Sequence, residues 1–484
     1  MTADKKHIKS RRAIVWFRKD LRLKDNPSLD SAQKAGREII PVFIWDEGEG
    51  GQWSPGAASK WWLHQSLKDL EQSIASLGGK LILRKGKAKE VLPQLAQSVG
   101  ADIVYCNKVY GLDDQEVQIS LETALSKIGV TVKSSNGSLL NEPWDIKNGS
   151  GKPYQVFTPY WRAARSGIYK EPLSYKTSEL SLQHADAKSD TLRNLRLLPN
   201  HPWHEKLHSH WTVSEDEGHK MIRRTVEEVT QFYSNRRNIP AIDGTSRLSP
   251  YLAWGNISPR QVCHAVLSKD ADGSRGENKF LTEIGWREFS YHLLHHFPRS
   301  TDNPLRPKYA SFPWREDAEA LSKWQFGNTG YALVDAGMKQ LYETGWMHNR
   351  VRMVVASFLV KHLLLSWKEG ASWFWNTLVD ADLASNTQGW QWAAGCGADA
   401  APYFRIFNPI LQGEKFDRSG RYVRKWVKPL KNFPTKWLFK PWETPSDILS
   451  EQNITLGQNY PNPCVNHAEA RARALEALAT LPKN

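Results

Sequence analysis

Four short apolar runs set the tightest constraint on this chain. They are "AIVWF" (13–17), "IIPVFIW" (39–45), "LILRKG" (81–86) and "DIVYCN" (102–107). Between the second and third lies "SPGAASKWWLHQSLKDLEQSIASLGG", where Leu63, Leu67, Leu70, Ile74 and Leu77 recur at three- and four-residue spacing. That spacing marks one face of a helix. Strands apolar without alternation are buried on both faces, so helices must cover both. The pattern predicts a doubly wound parallel α/β domain over 10–138. No G-x-G-x-x-G fingerprint follows a strand, and "GEGGQW" reads as a plain loop, so an ordinary nicotinamide dinucleotide site is not expected.

From 139 to 213 the pattern dissolves into Ser-, Gly-, Pro- and Asn-rich text such as "NGSGKPYQVFTPYW" and "HADAKSDTLRN". This predicts a long inter-domain connector. From 214 to 478 helical spacing prevails, and an all-α domain is expected. "SPYLAWGNISPRQVCHAV" holds two Ser-Pro pairs, each predicting a hydroxyl at N-cap and a proline at N1. "ALVDAGMKQLYETGW" puts Val334, Met338 and Leu341 on one stripe and ends on a glycine stop. "HAEARARALEALATL" predicts a terminal amphipathic helix.

Charge narrows the partners. Lys+Arg 65 against Asp+Glu 51 gives a net +14, which favours a polyanion, nucleic acid first and an anionic membrane second. The longest apolar stretch, "VRMVVASFLVKHLLLSW", is cut by Arg352 and Lys361, so no membrane span is expected. Cys106, Cys263, Cys396 and Cys464 show no C-x-x-C and no metal-ligand spacing, which predicts free thiols and no metal. The N-terminal apolar run is too short for a secretory leader, and a cytoplasmic location is expected. The 22 tryptophans exceed what packing needs, since Leu and Ile fill a core without an indole N–H.

Three stretches gather chemistry. "VDADLASNTQGWQW" places Asp380, Asp382, Asn386, Trp390 and Trp392 in apolar text, and burying those acids is costly unless partners satisfy them. "GTSRLSP" clusters Thr245, Ser246 and Ser249 ahead of a helix start, which suits a phosphate or plain capping. "WMHNRVRMVVASF" puts Asn349 and Met353 on one helical face with Arg350 beside them. Arg352 falls on another side, where it can pair with a buried carboxylate such as Asp380; a solvated basic face is the other reading. In "FLTEIGWREF", Glu283 and Trp286 share a face, as a base-holding pair or as a core indole beside a surface acid.

Together these stretches resemble the photolyase/cryptochrome flavoprotein family. "VWFRKDLRLKDNPSL", "GTSRLSP", "WREF", "GYALVDAGMKQLYETGWMHNRVRMVVASFLVK" and "DADLASNTQGWQWAAGCGADAAPYFRIFNP" carry the likeness, which runs from about Arg12 to the final helix. The resemblance implies FAD, with FADH− the active form, held in a U shape within the helical domain. Tyr233 and the loop of Thr245, Ser246, Arg247, Leu248 and Ser249 would meet its phosphates and sugar. Asp380 and Asp382 would lie by the ribose and isoalloxazine, Arg352 would pair with Asp380, and Asn349 would join this shell. Asn386 would face N5, where plant-type signalling cryptochromes carry an aspartate. Trp390, Trp367 and Trp314 match the family's electron chain to the surface.

The same resemblance implies a carbon–carbon lyase for cyclobutane pyrimidine dimers in UV-damaged DNA, driven by an electron from excited FADH− that later returns. A fused dimer stacks poorly, so flipping it out costs less than flipping a normal pair. Trp286 and Trp392 would cradle it, Glu283 and Asn349 would hydrogen-bond its bases, and Met353 would pack against it. Arg237 and Arg350 would lie near the lesion and its phosphates. Enzymes for (6-4) photoproducts carry histidines where this chain has Asn349 and Met353. "SPGAASKWWLHQSL" and "NEPW" resemble the bacterial class III branch near plant cryptochromes, which implies a methenyltetrahydrofolate antenna, with a deazaflavin or no antenna as alternatives. A monomer is expected. Two rivals stay open: a blue-light photoreceptor without repair activity, and a flavin-free single-strand nucleic-acid binder.

Overall fold

Five parallel strands form the N-terminal sheet: β1 (Arg12–Phe17), β2 (Glu38–Trp45), β3 (Ile82–Lys85), β4 (Ala101–Asn107) and β5 (Thr131–Ser135). Their spatial order is β3-β2-β1-β4-β5. The computed structural model describes residues 11–48, 50–112, 114–269, 275–399 and 404–482; residue 10 and residues 400–403 of the expected domain and motif lie outside them. Helices α1 (Pro27–Lys34), α2 (Ala57–Ser76), α3 (Ala88–Val99) and α4 (Asp114–Ser126) complete this domain. Side chains alternate between two cores, as doubly buried strands require. Ile14, Trp16, Val42 and Val104 meet Leu92 and Leu121 on one face. Val15, Phe17, Phe43 and Leu83 meet Trp62, Leu67 and Ile74 on the other. Leu63, Leu67, Leu70 and Ile74 of α2 are buried as their spacing predicts.

Two elements were not legible. β5, "TVKSS", is an edge strand with exposed or half-buried positions, and its polar composition carries no strand signal. Within 139–213 the chain forms α5 (Phe157–Ala164), burying Phe157, Tyr160 and Ala164 at three- and four-residue spacing. Its Pro- and Gly-rich flanks conceal it. "GEGGQW" also closes into one 3₁₀ turn at Gly51–Trp53.

The helical part begins with α6 (Glu215–Arg224), α7 (Tyr233–Arg236), α8 (Ser249–Ala253), α9 (Pro259–Lys269) and α10 (Arg275–His296). It continues through α11 (Ala318–Gln325), α12 (Ala332–Thr344), α13 (Asn349–Ser357), α14 (Trp367–Thr377) and α15 (Leu383–Ala394). The last are α16 (Pro409–Phe416), α17 (Arg421–Trp426), α18 (Ser446–Glu451) and α19 (His467–Ala479). Val334, Met338 and Leu341 are buried on α12, which stops at left-handed Gly345. Ser258 caps α9 as its Ser-Pro pair predicts, with Oγ accepting from Gln261 N at 3.1 Å. Ser249 does not cap. It sits inside α8, whose N-cap is Leu248, and its hydroxyl goes elsewhere.

The "FRKDLRLKDN" loop after β1 fastens the two parts together. Arg22 is fully buried and donates to the carbonyls of Gly255 (3.0 Å) and Gly137 (2.7 Å). Gly255 has φ +70°, and a Cβ there would lie 2.1 Å from the Lys19 carbonyl oxygen, so only glycine permits this approach. Among the described residues no helix is long and apolar enough to cross a membrane.

Candidate active site

The turn between α14 and α15 carries the two acids. Asp382 is the N-cap of α15, its Oδ1 accepting from Ser385 N at 2.8 Å, and its Oδ2 accepts from the Tyr291 hydroxyl. Asp380 is only 8% exposed. Its Oδ2 accepts from Arg352 Nη2 at 2.8 Å and from Ser249 Oγ at 2.7 Å. The expected Arg352–Asp380 pair is therefore formed, and the displaced Ser249 hydroxyl belongs to it. Oδ1 of Asp380 is buried without a partner. A buried carboxylate oxygen left bare costs free energy, so it marks a place for a ligand donor.

One turn along α15, Asn386 Nδ2 donates to the Ala371 carbonyl at 3.0 Å. A carbonyl only accepts, so this contact fixes the amide with Oδ1 facing away. Arg352 also donates from Nε to Met347 O at 2.7 Å, and its guanidinium lies 5.9 Å from the Trp346 ring centroid. Arg247, in the loop before α8, lies 5.2 Å from the same ring and pairs with Asp243 at 3.4 Å. Thr245 and Ser246 are half-buried, and Leu248 is buried. Tyr233 is buried, edge-on to Phe280 at 5.3 Å with Arg237 at 5.3 Å over its ring.

His348 was not anticipated. It caps α13 through Nδ1, which accepts from Arg350 N at 3.2 Å, so the ring proton belongs on Nε2. That nitrogen is buried and unpartnered. Burial, then the charges of Arg350, Arg352, Arg247 and Arg237, hold the imidazole neutral, with its pKa down at about 3. The neutral imidazole therefore offers a buried Nε2–H donor with no partner of its own.

A second group sits on α10. Glu283 pairs with Arg237, and Lys279 Nζ stands 3.4 Å away. Trp286 stacks on Phe157 at 3.8 Å with an interplanar angle of 8°. Phe157 thus backs one face of a half-buried indole from α5, and no sequence signal pointed to it. Arg350 donates from Nη2 to Asn238 Oδ1 at 2.8 Å and lies over Phe416 at 4.5 Å. Asn349 is exposed, and Met353 and Trp392 are half-buried. Among the described residues no side-chain hydrogen bond joins Glu283 to Asn349 or Met353.

Trp390 and Trp367 are each 3% exposed within the helical core, and half-buried Trp314 packs at its rim. Trp390 and Trp367 are equally buried, and Trp314 is less so. Trp390 also meets Phe374 at 5.0 Å and Trp324 at 6.0 Å, both edge-on.

A cavity of about 150 Å³ opens between the two parts, reaching Tyr291 and the Ala381 and Leu383 neighbours of Asp382. It lies at the carboxyl ends of β1, β2 and β4, where the strand order reverses and doubly wound folds bind ligands. Trp16 and Trp53 line it, and both indole N–H groups are buried without partners.

Residues 13–177 match the family described as DNA photolyase, and residues 280–480 match the FAD binding domain of DNA photolyase. Fold and pocket thus fall in the class of two-domain FAD-binding proteins. The deoxyribodipyrimidine photo-lyase of Agrobacterium fabrum is 44% identical over 479 residues, covering 98% of this chain and 99% of that protein. Cryptochrome-1 of Arabidopsis thaliana is 36% identical over 487 residues, covering 97% of this chain and 70% of its own. The crystal structure of a bacterial class III photolyase from Agrobacterium tumefaciens superposes with a TM-score of 0.93 at 44% identity, covering 99% of each chain. The chain belongs to the photolyase/cryptochrome family.

Proposed function

We propose that the protein is a light-dependent DNA repair enzyme that splits cyclobutane pyrimidine dimers, a deoxyribodipyrimidine photo-lyase. The observation that carries this reading is Asn386, one turn past the Asp382 N-cap and oriented by Ala371 so that its oxygen accepts no hydrogen bond among the described residues, together with the half-paired Asp380. Both leave an acceptor for the N–H groups of an isoalloxazine, so the residues fit FAD. When bound and reduced, FAD supplies on blue-light excitation one electron to the dimer, which returns once the ring bonds have opened.

The chain's own residues bind, orient and exclude water. Arg352 balances the charge of Asp380, so the carboxylate stays buried beside the flavin. Asn386 presents a neutral acceptor with no proton to give, which preserves an electron-rich anionic flavin. Asp382, Tyr233, Asn349 and the loop from Thr245 through Ser246, Arg247 and Leu248 to Ser249 complete the cofactor shell. Trp390, Trp367 and Trp314 pass electrons inward to restore the reduced state.

Trp286, backed by Phe157, offers its other face to the flipped dimer, and Trp392 serves as the second indole of the cradle. Glu283, paired with Arg237, presents its carboxylate oxygens as acceptors for base N–H groups. Asn349 and Met353 complete the cradle, and Arg350 with the net +14 charge holds the phosphates in a salt-sensitive manner. The protein acts as a cytoplasmic monomer, nucleoid-associated when bound to DNA; its four free thiols suit a reducing compartment. The switch-point cavity is our assignment for the antenna, methenyltetrahydrofolate, whose acceptor atoms would satisfy Trp16 and Trp53. Absorption of the purified protein separates folate from deazaflavin.

The test is repair of a dimer-containing oligonucleotide under blue light with a dark control. Dimers should disappear only in the light. Flavin-loaded protein that leaves them intact would overturn repair and favour a blue-light photoreceptor.

A further inference from the structure

A row of aromatic side chains that the tryptophan chain does not use leads from Asp382 across the domain interface. Tyr291 on α10 donates its hydroxyl to Asp382 Oδ2. Its ring lies 6.1 Å from that of Tyr110, edge-on at 76°. Tyr110 follows β4 in the α/β domain and donates to Glu142 Oε2 at 2.8 Å. Both tyrosines line the switch-point cavity. Beyond Tyr110, Trp144 lies 6.3 Å away, half-buried, beside His295 at 5.3 Å.

We propose that Tyr291 and Tyr110 form a second, proton-coupled route by which an electron reaches the flavin pocket, ending in a neutral radical on Tyr110. The proposal rests on the flavin reading above and goes beyond its tryptophan chain. A phenol is hard to oxidise unless its proton leaves at the same time, and each of these phenols is already hydrogen-bonded to a carboxylate. Burial, and after it the neighbouring carboxylates, push both phenol pKa values upward, so both are protonated before oxidation.

The oxidant is photoexcited oxidised flavin. One electron leaves Tyr291, and its phenolic proton moves to Asp382 Oδ2. Arg287 lies 4.9 Å over the Tyr291 ring and disfavours a radical cation, so electron and proton leave together. One electron then passes from Tyr110 to Tyr291, Asp382 returns the proton, and the Tyr110 proton moves to Glu142 Oε2. The net change is one electron from Tyr110 to the flavin and one proton from Tyr110 to Glu142. A solution thiol restores Tyr110 with one electron while Glu142 returns the proton; the thiol becomes a thiyl radical and its own proton passes to solvent.

Charge explains why the route stops there. Lys108 Nζ lies 4.8 Å over the Trp144 ring and also donates to Glu142 Oε1 at 2.8 Å. An ammonium over that indole penalises its radical cation, and among the described residues no carboxylate accepts from the Trp144 indole to take a proton. The hole therefore rests on Tyr110, one ring further from the flavin than Tyr291.

The test uses full-length, FAD-loaded protein carrying Trp390→Phe, which closes the tryptophan chain. It is illuminated in blue light with a thiol, followed by absorbance and by electron paramagnetic resonance of frozen samples. Slow residual photoreduction is expected, with a neutral tyrosyl signal that narrows when tyrosine is ring-deuterated. Adding Tyr110→Phe, which keeps the ring and its packing, should abolish the signal and bring residual reduction to the dark level. Adding Glu142→Gln instead should lower the radical yield while Tyr110 remains. An unchanged residual rate in the Tyr110→Phe protein, or no tyrosyl signal in its parent, would overturn the route. Protein that binds no flavin would instead overturn the earlier reading, and its colour reports that before any light is applied.

Discussion

At Asp380 and Asn386 single atoms decide the chemistry. Asp380 shares one oxygen between Arg352 and Ser249 and leaves the other bare, while Asn386 has its nitrogen occupied and, among the described residues, no donor to its oxygen. Asn386→Asp would place a carboxylate where a neutral acceptor now sits. Two unit charges 4 Å apart repel by about 4 kcal/mol at an effective dielectric constant of ~20. The variant should therefore bind FAD yet fail to hold the anionic reduced form, taking up a proton instead. Absorbance spectra during illumination with a thiol check this, and wild-type end spectra in the variant would refute it. The sequence showed opposite charges at Arg352 and Asp380 and helical spacing to separate Arg352 from Asn349, so that pair was legible. His348, Tyr291 and Phe157 were not. Their importance comes from contacts made only after folding, as when the 3.8 Å stack on Trp286 joins residues 129 positions apart along the chain (286 − 157).

Where α14 packs on α15, Gly370 lets the Trp390 ring approach closely, and the proposed tryptophan chain depends on that fit. A Cβ on Gly370 would lie 2.0 Å from Trp390 Cη2, inside any real contact. Gly370→Ala should displace the Trp390 ring, and overpacking of this kind costs about 1–3 kcal/mol, against about 1 kcal/mol gained in helix propensity. Gly389 on α15 is the control, exposed with nothing within 4 Å of a Cβ. There the same substitution should stabilise by up to about 1 kcal/mol. Urea unfolding measures both, and equal shifts at the two sites would contradict the packing described here. Photoreduction should slow only in the Gly370 variant. Elements with a full apolar face, such as α2 and α12, declare themselves in sequence because burial repeats at the helical period. β5 and α5 do not, because one is a polar edge and the other shows a two-turn stripe among turn-forming residues.

Across the whole molecule, histidines buried without charge set the response to acid. His348 and His362 are 2% and 0% exposed, and burial holds both at a pKa of about 3. The charges of four arginines add to burial at His348; His362 shares a 2.8 Å hydrogen bond with His467, and the charges of Lys361 and Arg473 act on it. In the unfolded chain a histidine titrates near 6.5. Between that value and about 3 the unfolded chain holds more protons than the folded one, so stability is complete above pH 6.5 and falls as pH falls. At pH 5 each of the two contributes about 2 kcal/mol of lost stability, since one pH unit corresponds to about 1.4 kcal/mol per proton. The net +14 charge works in the same direction, because further protonation adds repulsion to an already cationic fold. Urea midpoints should therefore decline steeply from pH 7 to pH 5. His362→Gln, which keeps a polar partner for His467 and cannot take a proton in this range, should lose part of that slope. Matching pH dependences in wild type and variant would show that His362 is charged in the folded protein and that the acid response lies elsewhere.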